Sequence, residues 1–224
     1  SANGADIRTL VGQCVGGTRA GERHVVNVGP DVVDRLDTPG EELAVCHNHP
    51  AEPDAPPNEL SAPDLMLLGR PGVRSLHMVS PYEPYGYSIA QRALDLEPLA
   101  WRSAVSRARD ISVALVTAPP ADAYKRAHGL ARLDHQRVLV RVLDMTGLID
   151  WQRRFDGATA VFEQRHGAYF DALAETACAQ LVHALQSDGV AWVDPGNPGV
   201  CHAGSGPTGV ETNATCAVTS RGAM

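Results

Sequence analysis

A chain of 224 residues with 44% hydrophobic side chains carries enough apolar material to bury a core, which excludes global disorder. Its formal net charge of −7 argues against a nucleic-acid coat and against a protein drawn to acidic membrane surfaces. No apolar run reaches the roughly 18 residues that a membrane span needs, and Ser1-Ala2-Asn3-Gly4 has neither the basic nor the apolar region of a secretory signal. The five cysteines (Cys14, Cys46, Cys178, Cys201 and Cys216) are odd in number and form no C-x-x-C pair. That speaks against a zinc ribbon, a redox dithiol and a fully paired disulfide framework. Cys201 with Cys216 is the one pairing left open; free thiols in a cytoplasmic protein are the expectation.

In chain order, residues 7–15 and 24–28 read as short strands stopped by Gly16-Gly17 and Gly29-Pro30. Residues 31–36 read as a helical turn with Asp31 as N-cap and Val32, Val33 and Leu36 inward. After Pro39-Gly40, Leu43-Ala44-Val45-Cys46 is an apolar strand that runs into His47-Asn48-His49-Pro50. Residues 51–60 are Pro-rich and acidic, hence a loop. Ser61-Ala62-Pro63-Asp64 has the form of a helix start, with Ser61 at the N-cap and Asp64 closing a capping box, and the helix runs to Gly69. Residues 73–79 and 87–90 follow as strands around a turn at 81–86. Helical spacing of apolar residues then covers 92–116, 121–146 and 149–187, with Pro119-Pro120 between the first two. Leu130, Leu133, Val138, Val140, Val142, Leu143, Phe162, Phe170, Leu173, Leu181 and Leu185 are the expected core positions. The order predicts an α/β (α+β) fold in three parts: a metal-site unit over 1–92, a helical region over 93–190 and a Gly/Pro-rich tail over 191–224.

The chemistry concentrates at His47-Asn48-His49-Pro50 and Ser61-Ala62-Pro63-Asp64. Histidines at i and i+2 on a strand share one face, so both imidazoles can meet one ion. Asp64, in the first turn of the next helix, adds a carboxylate oxygen. Two nitrogens, one oxygen and a water make a four-coordinate catalytic zinc with an open position. Such an ion lowers the pKa of its water to about 7 and polarises a carbonyl. The Ser61 hydroxyl is placed to stabilise an oxyanion.

The pattern H-N-H-P followed by S-x-x-D resembles that of the JAMM (MPN+, JAB) zinc metalloprotease family, and its wording is most similar to the bacterial and phage branches. The resemblance covers residues 6–92; nothing from residue 93 onward shares it. It implies an MPN-like mixed sheet with flanking helices, with the helical region as an extension. It also implies Zn2+ held by His47, His49 and Asp64, with Ser61 as oxyanion support. The implied activity is metallopeptidase or isopeptidase cleavage of an amide bond, in a ubiquitin-like conjugate or in a phage or effector protein. The chain departs from the family in a longer loop before Ser61 and in its general base, a glutamate on an early strand. Glu22 is the candidate for that base. Asp6, a residue upstream of Ser1, or an inactive relative acting as an interaction scaffold are the other readings. The abrupt start reads as that of a piece of a larger effector or phage protein.

The remaining chemistry-bearing residues have plainer readings. Cys46 reads as a small packed hydrophobe, His77 as a structural residue on a core strand, and Tyr82, Tyr85 and Tyr87 as an aromatic corner. The arginines between 102 and 141 read as solvated helix faces. Deaminase (H-x-E with P-C-x-x-C) and H-E-x-x-H signatures are absent from the sequence.

Overall fold

From residue 43 onward, the computed structural model follows the strand–helix–strand–strand order that the sequence predicts. It describes residues 30–48, 59–79, 86–94 and 96–188, with two short strands at 192–193 and 201–202. The strands expected over 7–15 and 24–28 lie outside the described residues.

Helix α1 (Pro30–Leu36) precedes β1 (Leu43–Asn48). It begins at Pro30, whose fixed φ suits a first helical position, so Asp31 lies within the helix instead of capping it. Helix α2 (Ala62–Leu67) crosses over to β2 (Val73–Val79), which runs parallel to β1; β3 (Gly86–Arg92) returns antiparallel. Three helices follow: α3 (Pro98–Thr117), α4 (Pro119–Ala127) and α5 (His135–Met145). Then come β4 (Ile149–Phe155), the long α6 (Ala158–Ser187), and the two-residue strands β5 (Trp192–Val193) and β6 (Cys201–His202). The main sheet has the order β1-β2-β3-β4 and is mixed, so the fold is α/β with helices packed on a sheet. Among the described residues no helix is long and apolar enough to cross a membrane.

Three expectations change. Residues 149–155 form a strand, not the start of a helix, and pair with β3. Burial alternates along Ile149, Trp151, Arg153 and Phe155, but an arginine on the inward side hides that period in the sequence. Residues 121–146 split into α4 and α5. Gly129, at φ 63°, ends the first, and the Asp134 side chain, accepting from the Gln136 N–H at 3.0 Å, starts the second. Within the tail, β5 and β6 pair as a small antiparallel ribbon instead of a plain loop.

The sheet register defines two faces. Val45, Leu76, Ala90 and Trp151 form one cross-strand row, and His47, Met78, Ser88 and Arg153 the next. Both rows lie on the face that the helices cover; Leu76, Met78, Ser88 and Ala90 have no exposed surface. Trp101 of α3 is fully buried, and its Nε1 donates to the Leu65 carbonyl of α2 at 2.9 Å, which ties α3 to the crossover helix. That approach needs Gly69, because a β-carbon there would fall on the Trp101 ring. Gly72 is equally constrained. Its N–H donates to the Leu36 carbonyl at 2.8 Å, and the carbonyls of Arg35, Leu36 and Thr38 leave no room for a side chain. Leu133, Val138, Leu143, Phe170, Leu181 and Leu185 from the helical region share one buried core with Leu65, Leu76 and Met78, while β4 completes the sheet.

Candidate metal centre

His47 is the fifth residue of β1, at the end where the strand meets α2. Alternation along the strand turns it to the helix-covered face, in the row of Met78 and Ser88. Helix α2 then presents Asp64 to it: His47 Nε2 and Asp64 Oδ1 lie 3.4 Å apart, with side chains 20% and 19% exposed.

Asp64 is held by its own helix start. Ser61 caps α2, and the reciprocal capping box is formed. The Ser61 hydroxyl donates to Asp64 Oδ2 at 2.6 Å and the Ser61 backbone N–H donates to the same oxygen at 2.8 Å. The Asp64 N–H reaches Ser61 Oγ at 3.4 Å. Two donors therefore fix Oδ2, and the carboxylate is oriented so that Oδ1 faces the imidazole.

The separation suits a shared ion. Two ligands each about 2.0–2.2 Å from a tetrahedral zinc stand roughly 3.3–3.5 Å apart. A direct charge-assisted N–H···O bond would be shorter, at about 2.7–2.9 Å. Nitrogen plus carboxylate oxygen is also the donor chemistry that zinc takes. His49 and Glu22, the other expected ligand and the candidate base, lie outside the described residues, as does Asp6. Among the described residues no group of three or more His, Cys, Asp or Glu side chains converges.

Cys46 is exposed, not packed, because it lies on the opposite face of β1 from His47. His77 is its register partner on β2, and Ser75 Oγ lies 2.9 Å from His77 Nε2, a bond within one strand.

A buried acid escaped the sequence reading. Glu59 stands in the Pro-rich, acidic segment read as a loop, yet it is 1% exposed. Its Oε1 accepts from the Leu60 N–H at 3.3 Å, and its Oε2 has no hydrogen-bond partner among the described residues. Ser88 Oγ accepts from Trp151 Nε1 at 2.8 Å. Burial pushes the Glu59 carboxyl above the ordinary glutamate range, opposed by Ser88, Arg137, the Leu60 N–H and Arg153.

Arg137 and Arg141 depart furthest from expectation. Instead of lining a solvated helix face they are 1% and 2% exposed, and both bind Glu163 of α6. Arg153 of β4 adds a third contact to Glu163 at 2.8 Å, and Arg141 also meets Asp171 at 2.7 Å. Their guanidinium planes lie over rings: Arg137 over Phe162, Arg141 over Trp151 and Phe170, Arg153 over Trp151. Burial alone would favour a neutral Glu163, but Arg141, Arg137 and Arg153 outweigh it and hold the carboxyl below its ordinary range. Spacing in the sequence gives no sign of this cluster, since an arginine on an amphipathic helix has the same pattern whether it faces water or a partner.

No protein-family model, curated protein or solved structure matched the chain.

Proposed function

We propose that the chain is a zinc-dependent hydrolase of amide bonds, a metallopeptidase or isopeptidase of the JAMM type. The observation that supports this most directly is the His47–Asp64 pair, set 3.4 Å apart with the carboxylate oriented by Ser61. His47, His49 and Asp64 would hold the ion; when bound, zinc supplies an activated water and a Lewis acid for the scissile carbonyl. Ser61 serves first as the clamp on Asp64. Supporting an oxyanion requires its hydroxyl to turn from Oδ2, which the Ser61 backbone N–H then continues to hold. Glu22 is the proposed base that moves the proton to the leaving amine. The proposed substrate is a protein or peptide, including a ubiquitin-like conjugate.

The test is elemental analysis of the purified chain beside His47→Ala, His49→Ala and Asp64→Ala. About one zinc per wild-type chain, lost in all three variants, is the expected result. Wild-type protein that neither carries zinc nor takes it up on titration would overturn the reading. With zinc established, loss of peptidase activity in Glu22→Gln with zinc retained assigns the base.

A further inference from the structure

Helix α4 has nine residues and buries one of them, Ala121. A helix this short has almost no stability of its own in water, so its docking decides whether it forms. Both of its ends are backbone breaks: Pro119-Pro120 follows the extended Ala118, and Gly129 stands at φ 63° beyond the C-cap residue His128. The segment between these breaks can leave its neighbours without unwinding α3 or α5.

Tyr124 joins α4 to α6. Its ring lies flat on that of Tyr169, with centres 3.6 Å and planes 3° apart, and its hydroxyl is 3.0 Å from His166 Nδ1. Burial raises the Tyr124 hydroxyl above the ordinary tyrosine range, so it keeps its proton, and that proton is available to a neutral Nδ1.

His166 is 8% exposed, and its surroundings offer little counter-charge to a protonated ring. From α4, His128 stands 5.5 Å away between ring centres, while Lys125 and Asp122 pair with each other at 2.6 Å. On α6, Arg165 repels, and the one attractive charge, Glu163, is already bound by Arg137 and Arg141 of α5 and Arg153 of β4. The Phe162 ring beside His166 already carries the Arg137 guanidinium. Burial first, then His128 and Arg165, hold the imidazole below the ordinary histidine range.

We propose that the Tyr124–His166 bond is a pH-sensitive latch: a neutral His166 holds α4 against α6, and a proton on Nδ1 removes the acceptor and releases the helix. In the released state His166 faces water and titrates near its ordinary value of about 6.5. The latch is therefore complete above that value and is lost as pH falls below it toward the folded value. Over that window the balance shifts by up to about tenfold per pH unit.

The test is amide hydrogen exchange of the full chain at pH 7.5 and pH 5, corrected for intrinsic rates, in wild type, His166→Asn and Tyr124→Phe. Residues 122–128 report on α4, and residues 139–145 of α5 report on the fold. Wild-type α4 should lose about tenfold or more of its protection at pH 5 while α5 keeps its own. His166→Asn carries an amide oxygen within reach of the Tyr124 hydroxyl and does not titrate, so its α4 protection should be equal at the two pH values. Tyr124→Phe should have a loosened α4 already at pH 7.5. Equal wild-type protection of α4 at both pH values overturns the latch, as does an unaltered pH response in His166→Asn. Loss of α4 and α5 protection together would be acid unfolding of the whole chain and overturns it as well.

Discussion

Two polar regions lie on the same side of the sheet, and they are built differently. Around Glu163, carboxylates and guanidiniums close on one another: Arg137, Arg141 and Arg153 converge on one acid, with aromatic rings over the cations and little access to water. At the end of β1, His47 and Asp64 face each other across 3.4 Å and keep about a fifth of their surface exposed, with Oδ2 of the carboxylate held by Ser61. A cluster whose charges satisfy one another joins elements together. A pair that faces across this distance with solvent access is the arrangement the proposed metal site requires. Glu59 lies between the two in chain and charge, since it is in the field of Arg137 and Arg153 and stands two residues before Ser61.

The sharpest way to break this contrast is Glu163→Gln. It leaves two nearly buried guanidiniums short of a counter-charge and should destabilise the chain by about 3–5 kcal/mol in urea unfolding, with zinc affinity unchanged in whatever remains folded. Because the Glu163 carboxyl sits below its ordinary range when folded, its contribution is present above the usual glutamate range and is lost as pH falls through the folded value.

The converse pattern is expected at the other region. His47→Ala or Asp64→Ala should lower zinc affinity at least about 100-fold, close to 2.7 kcal/mol. Metal-free stability should change far less than in Glu163→Gln. Equal effects on both properties from both sets of variants would mean that the two regions are not functionally distinct.

Ser61→Ala should fall between them. Loss of the cap costs about 1 kcal/mol of stability, and release of Asp64 Oδ2 should weaken zinc about tenfold, both read from the same titrations. The smallest effect is the pH signature of Glu59. Its folded carboxyl is raised, so its contribution is complete below the unfolded glutamate range and is lost as pH rises through the folded value. Glu59→Gln does not titrate there, so its stability relative to wild type should improve as pH rises above the ordinary glutamate range. A flat difference above that range would mean that burial does not penalise the charged form of Glu59.

Local signals determined much of this protein. The alternation and apolar character of residues 43–47 and 73–79 gave β1 and β2, and Ser61 with Asp64 gave the capped start of α2, because strand period and N-cap chemistry act over a few neighbouring residues. The same spacing placed the imidazole of His47 and the carboxylate of Asp64 as a candidate pair before any distance was known. The tertiary structure alone decided the rest. Residues 149–155 became a strand because β3 offered an edge to pair with, although their own pattern of apolar and charged residues had not marked one. Arg137 and Arg141 became buried because their partner Glu163 comes from 26 and 22 residues further along the chain. Whether a charged side chain faces water or another charge depends on what packs opposite it. One segment's periodicity cannot carry that information, and here it separates the residues that join the fold from those proposed to form a site.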